Sequence, residues 1–207
     1  MNNRLIIIGA GGHGQVIADI ALKMGHWKDI KFLDDNRVGK TPIGISIIGK
    51  SSDVHKYIKE FDVFIGVGNN SIRGKIQKEL EAAGASIPRL IHPSAIIGEN
   101  VEIGKGTAIM AGVIINCCTK IGEGCIVNTA SSIDHDNCIG NYTHISPGVR
   151  LAGTVNVGDN TWLGVGSIVS NNVNITGDCI IGAGGVVVKD INMSGIYVGV
   201  PVRRTNK

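Results

Sequence analysis

From Ile91 onward the chain repeats itself every six residues. Ile97, Ile103, Ile109, Ile115, Ile121, Val127, Ile133, Ile139, Ile145, Leu151, Val157, Leu163, Val169, Ile175, Ile181 and Val187 all fall on one step, and none is out of register. Two residues before many of these anchors stands something small or β-branched (Ala95, Thr107, Thr119, Ser131, Thr143, Thr161, Ser167), with Asn137 the exception. Glycine follows directly after others, at Gly98, Gly104, Gly122, Gly140, Gly158, Gly164 and Gly182. The pattern predicts one short strand and one tight turn per hexapeptide. Such a chain winds as a solenoid whose anchors stack inward, whose corners take the small residues, and whose turns are made by Gly or Asn. Because the register never breaks, no long loop leaves the solenoid.

The first part of the chain has another rhythm. RLIIIGAGGHGQVIADIALKMG reads as an apolar strand, a glycine turn and an amphipathic helix with Val16, Ile17, Ile20 and Ala21 on one face and Gly25 near its end. KFLDDN, residues 31–36, reads as a second strand ending in two aspartates. FDVFIGVGNN, residues 61–70, reads as another, followed by a helix over IRGKIQKELEAAG. This β-α-β-β-α order predicts a small Rossmann-like α/β domain over residues 1–88. IPRLIHPSA then hands over to a solenoid domain with a C-terminal tail, residues 89–207.

Composition narrows the function. A net charge of +3 on 207 residues, with the basic residues scattered apart from Arg203-Arg204, leaves no footprint for nucleic acid. The longest apolar run of the N-terminal strand is too short to span a bilayer, and the start lacks the regions of a signal peptide, so no membrane partner and a cytoplasmic location are expected. The five cysteines are odd in number and lack CxxC spacing, which fits reduced, packed thiols better than disulfides or zinc; no metal is expected. Thirty glycines against two Trp, three Tyr and three Phe agree with a repetitive fold rather than an aromatic core.

Gly9, Gly11 and Gly14 satisfy GxGxxG at the end of a strand, with Asp34 and Asp35 about twenty residues on, which taken alone suggests NAD. Bare N–H groups at a helix start bind any phosphate, however, and an acid at the second strand's tip serves any ribose or base. A domain this small cannot hold both halves of a dinucleotide fold and a substrate domain, so the reading is a nucleotide site without redox chemistry.

The hexapeptides resemble those of the left-handed parallel β-helix, three per triangular coil. GAGGHG, LDDN and GVGNN, together with NTASSIDHDNCIGNYTHISPGVRLAG, are similar over essentially the whole chain to bacterial sugar O-acyltransferases of the sialic acid O-acetyltransferase type. The UDP-4-amino-sugar N-acetyltransferases among them match the pattern best. The resemblance implies an acetyl-CoA-dependent homotrimer that acetylates the amine of a nucleotide-linked 4-amino-4,6-dideoxy sugar for surface glycan or glycoprotein synthesis. Two alternatives stay open, an O-acetyltransferase of sialic acid or another surface sugar, and a non-catalytic nucleotide-binding scaffold.

Amide formation from a thioester needs a base near neutrality, and imidazole is the side chain best poised for it. His135, in SSIDHDNCIG, is that base in this reading, and a carboxylate on its other ring nitrogen would hold the tautomer. The resemblance assigns that carboxylate to Asp136, with Asp134 as the alternative. It further implies that His144 donates to the thioester carbonyl and that Asn128 lies near the acceptor amine, although Asn128 could equally be a turn residue. Gly153 and Gly182 would let the pantetheine arm lie close to backbone, and Arg203 and Arg204 would meet a CoA phosphate. In the N-terminal domain Gly9, Gly11, Gly12 and His13 are expected at the pyrophosphate or sugar, Asp34 and Asp35 at the uridine, and Asn69 and Asn70 at a ligand edge. Base identity and sugar stereochemistry are not legible.

Overall fold

A computed structural model describes residues 2–205. The chain divides into two compact units, one ending at Pro93 and the other starting at Ser94. In the handover segment Leu90 is fully buried and the Ile91 amide donates to Met24 Sδ at 3.4 Å.

The first unit runs β1 (Arg4–Ile8), α1 (Gly12–Met24), β2 (Asp29–Leu33), β3 (Gly39–Lys40), β4 (Ser46–Ile47), a 3-10 turn (Ser51–Lys56), β5 (Asp62–Ile65) and α2 (Asn70–Ala82). Its sheet has the order β3-β4-β2-β1-β5, parallel except for β3. Leu5, Ile6, Ile7 and Ile8 are all buried, as a continuous apolar run must be in a parallel strand covered on both faces. Ile6, Ile8, Leu33, Val63, Ile65 and Leu80 share one core. The short β3–β4 hairpin is absent from the expected pattern, since two-residue strands lack the alternation that marks a strand in sequence. Val16, expected on the apolar face of α1, is exposed, while its neighbours Ile17, Ala18, Ile20 and Ala21 are buried.

β1 lies between β2 and β5, so the chain reverses its direction of travel across the sheet at the carboxyl ends of these strands. Open parallel sheets bind ligands at such a point. The loops after β1, β2 and β5 meet there: Gly9 N–H donates to Leu33 O and Gly66 N–H donates to Ile8 O, both at 2.8 Å.

The second unit is a parallel β-helix. Each two-residue strand pairs with the strand 18 residues on, as Ile96 with Ile114 and Lys120 with Cys138. Three flat faces result. The first carries the strands at 96–97, 114–115, 132–133, 150–151, 168–169 and 186–187; the second those at 102–103, 120–121, 138–139, 156–157 and 174–175. The third carries 108–109, 126–127, 144–145, 162–163 and 179–181 and is extended by Gly195–Gly199 and the antiparallel Val202–Arg204. The anchors Ile109, Ile115, Val127, Ile133, Ile145 and Leu163 are at most 1% exposed.

The turns correct one detail of the repeat. The left-handed residue stands three positions after the anchor and is often not glycine: Cys118, Ala130, Tyr142 and Thr154 have φ between 55° and 61°. Glycines directly after an anchor answer a different demand. A Cβ on Gly104 would stand 2.6 Å from the Glu123 amide nitrogen of the next coil, and one on Gly140 would stand 2.4 Å from Asp159 Oδ1. Coil-to-coil spacing near 4.8 Å leaves no room for a side chain aimed along the solenoid axis.

Candidate active site

His135 and Asp136 are the two turn residues of the corner between the first and second faces, Asp136 in the left-handed conformation at φ 57°. An aspartate tolerates that conformation better than most residues. Its carboxylate Oδ2 lies 2.7 Å from His135 Nδ1. Asp134, the other possible partner, is engaged elsewhere: its Oδ1 accepts from Asn116 Nδ2 at 2.7 Å and from the His135 backbone N–H at 2.9 Å. Both carboxylates brace the corner, but only Asp136 meets the ring. The hydrogen bond from Asp136 raises the His135 pKa above the ordinary histidine value, with Asp134 adding to the effect. With the ring neutral, Nδ1–H donates to Asp136 and Nε2 carries the lone pair; the side chain is half exposed.

Asn137 supports this corner from inside. Most other repeats place Thr, Ser, Val or Cys at this position, with Ala95 and Gly185 at the two ends; Asn137 is 1% exposed, and its amide nitrogen donates to Asp134 O (2.6 Å), His135 O (3.2 Å) and Ala152 O (3.0 Å). The irregularity visible in the repeat is therefore a brace behind the His-Asp turn. Asn137→Val, which fits the corner but removes these donors, is expected to cost about 1–3 kcal/mol through the carbonyls left unpaired. Thermal unfolding monitored by circular dichroism measures it.

His144 projects from the third face, beside Trp162, the rings stacked at 12° with centroids 6.0 Å apart. Asn128 Nδ2 lies 3.3 Å from His144 Nε2. An amide nitrogen only donates, so His144 Nε2 accepts and the proton of the neutral ring sits on Nδ1. Asn128 Oδ1 accepts from the Thr129 N–H at 2.8 Å, so this residue is both a turn residue and the group that sets the His144 tautomer.

Several expected cofactor contacts have another explanation in the structure. A Cβ on Gly153 would run into the His135 ring, and one on Gly182 would stand 2.9 Å from Val198 Cγ1, so both glycines make room for the protein's own side chains. Arg204 donates to Ser194 O at 2.9 Å within the C-terminal hairpin, and Arg203, exposed, donates to the adjacent Val202 O.

In the first unit Gly11 and Gly12 have open space where a side chain would be, at the start of α1. Gly9 and Gly14 serve packing instead: Gly9 has φ 96°, and a Cβ on Gly14 would fall 1.8 Å from Gly9 O. Asp34 is committed to backbone, accepting from Ala10 N–H at 2.7 Å and from the Asn36 and Arg37 N–H groups at 2.9 Å; these bonds draw its pKa down against the opposing effect of burial. Asp35 is exposed and accepts from Ser51 N–H at 3.0 Å. Asn69 caps α2 by accepting from Ile72 N–H, and Asn70 Oδ1 accepts from Arg73. Arg73, which no motif marks, is 1% exposed and donates to Val67 O and Gly68 O, so a buried guanidinium shapes the loop after β5. His13 has a buried Nε2 without a hydrogen-bond partner among the described residues. Burial and then the nearby Arg73 charge lower its pKa to about 4, so it is neutral at pH 7.

Among the described residues no cluster of three or more His, Cys, Asp or Glu could hold a metal ion, and no helix is long and apolar enough to cross a membrane. Cys125 and Cys179 are buried; Cys117, Cys118 and Cys138 are exposed, which departs from the expectation of packed thiols.

Residues 4–80 match the family model of the PglD N-terminal domain. The acetyltransferase domain of PglB from Neisseria gonorrhoeae FA1090 superposes with a TM-score of 0.96 at 35% identity, covering 99% of this chain and 100% of that one. The chain belongs to this acetyltransferase family. The same PglB domain has been solved in complex with acetyl coenzyme A. A second family member, PerB from Caulobacter crescentus in complex with CoA and GDP-perosamine, superposes with a TM-score of 0.92 at 35% identity over 98% of this chain and 97% of its own. UDP-N-acetylbacillosamine N-acetyltransferase of Bacillus subtilis strain 168 is 35% identical over 114 residues, which are 51% of this chain and 50% of that protein. Family membership also assigns the left-handed winding to the β-helix.

Proposed function

We propose that the protein transfers the acetyl group of acetyl-CoA to the amine of a nucleotide-linked 4-amino-4,6-dideoxy sugar, with UDP as the nucleotide, in the synthesis of a surface glycan or glycoprotein. The observation that carries the reading is the exposed imidazole of His135, held through Nδ1 by Asp136 at 2.7 Å. His135 Nε2 takes the proton from the amine nitrogen as it attacks, and Asp136 stabilises the imidazolium that forms. His144 donates to the carbonyl oxygen on which negative charge develops. Gly11 and Gly12 admit the diphosphate at the start of α1, where bare N–H groups and the helix dipole favour it, and Asp35 takes the base or ribose.

The active unit is a homotrimer, and two features of the β-helix support that. The second face is polar, with Glu102, Lys120, Cys138, Asn156 and Asn174 outward, whereas the other two present Ile96, Ile114, Ile168, Trp162 and Ile180 to solvent. Exposed apolar surface of this extent marks faces that pack against another chain. His135 also stands at the corner of the first and second faces, across the prism from the third face that carries His144. One chain therefore cannot direct both side chains at one substrate, and neighbouring copies complete each other's site.

An assay of free CoA release with UDP-, dTDP- and GDP-linked 4-amino sugars tests the function. Turnover of the UDP sugar is the expected result; turnover of the GDP sugar alone would replace the nucleotide, and turnover only of a free hydroxyl acceptor would overturn the amine. Calorimetry should show UDP bound without its sugar, and Gly11→Val weakening it by about tenfold or more, since a branched side chain then fills the phosphate position. NAD binding in place of UDP would restore the dehydrogenase reading of the fingerprint.

A further inference from the structure

We propose that Gly153 is a positioning residue for His135: by having no side chain it provides the seat on which the imidazole rests with its Nδ1 turned to Asp136. The inference rests on the reading of His135 as the base and adds the group that sets the ring's orientation. Gly153 lies one coil beyond His135, as the Thr154 N–H bond to His135 O (3.0 Å) shows. A Cβ added to it would stand 2.6 Å from Cε1, 2.7 Å from Nε2 and 3.3 Å from Cδ2, so it would meet the Cε1–Nε2 edge of the ring, next to the Nδ1 that faces Asp136. No backbone requirement accounts for the glycine. Gly153 is absent from the positive-φ residues, and the equivalent turn positions one coil before His135 and one coil after Gly153 carry side chains, Cys117 and Asn171.

A methyl group closer than 3 Å to Cε1 and Nε2 of the ring cannot be accommodated by small adjustments, because the coil spacing is fixed by backbone hydrogen bonds on both sides, including Asn172 N–H to Gly153 O at 3.1 Å. Either the imidazole leaves its rotamer and gives up the bond to Asp136, or the methyl group crowds Nε2, the atom that takes the proton. Both remove the base from its working position while leaving the residues that hold the donor and the nucleotide untouched.

The test is Gly153→Ala alone and combined with His135→Ala. The single variant should lower kcat by about a hundredfold, the usual scale for a catalytic group displaced by an ångström, with little change in the KM for acetyl-CoA. In the His135→Ala background the same change should add no further loss, because the ring it displaces is gone. A second readout is independent of turnover: NMR titration of 15N-labelled histidine should find the His135 pKa shifted down in Gly153→Ala, either because the Asp136 bond is lost or because the methyl group beside Nε2 removes water from the charged ring. If the single variant does not fold, the double variant should, since the added methyl group then has space. Normal turnover with an unchanged His135 titration would overturn the inference, as would a further loss in the double variant or misfolding of both. If His135→Ala itself proves nearly as active as wild type, the base assignment fails, and the titration alone then decides whether Gly153 seats the ring.

Discussion

Replacing His135, the proposed base, with alanine is expected to slow acetyl transfer by about two to four orders of magnitude, the usual contribution of a positioned general base, while the proposed trimer and acetyl-CoA binding persist. Single-turnover kinetics with saturating acetyl-CoA separate the chemical step from binding. Asp136→Asn costs less, because the imidazole remains and only its orientation and charge partner change. The two variants also differ in pH dependence. His135 acts only when neutral, and the Asp136 hydrogen bond raises its pKa above 6.5, so wild-type activity is lost as pH falls through a value above 6.5. In Asp136→Asn that acid limb moves to lower pH. For stability the sign is opposite: the charged His135–Asp136 pair favours the folded state at low pH and the benefit fades as pH rises through the raised pKa, though the half-exposed position of both side chains keeps it small. An acid limb that shifts in Asp134→Asn but not in Asp136→Asn would transfer the orienting role to Asp134.

Two nearly inactive variants are expected to restore each other. His135→Ala lacks the proposed base and His144→Ala the proposed oxyanion donor, yet in a mixed trimer of the proposed kind an interface between the intact His135 of one copy and the intact His144 of its neighbour would be complete. Random assembly of equal amounts makes about a quarter of the interfaces complete, so co-expressed variants should regain about a quarter of wild-type activity. The observation behind this is the placement of the two histidines on opposite sides of one β-helix. Mixtures no more active than the better single variant would show that both side chains serve from the same copy. A monodisperse, fully active monomer in sedimentation would remove the composite site altogether.

The hexapeptide register, the strand-turn-helix at the glycine fingerprint and the placement of His135 on a polar turn were all legible in the sequence, because each depends on residues a few positions apart. An aliphatic anchor every six residues can be buried only by a solenoid, and a strand running into GAGGHG has few other ways to turn into a helix. The partner of His135 was not legible. Asp134 and Asp136 flank it symmetrically, and the choice is made by Asn116, one coil away, which takes Asp134 for itself. The same distance hid the role of Gly153 beneath the imidazole, although stepping by 18 from His135 reaches it. Asp34 read as a ligand for the same reason: that its oxygens are committed to Ala10, Asn36 and Arg37 depends on how the loops after β1 and β2 meet. Nothing local marks Arg73 within IRGKIQKELEAAG; only folding buries its guanidinium against the carbonyls of Val67 and Gly68. Periodicity and local motifs therefore determined the two domains and the candidate base. Which hydrogen-bonding groups remain available for chemistry was decided by the tertiary structure, because neighbouring coils and loops compete for the same carboxylates, amides and space.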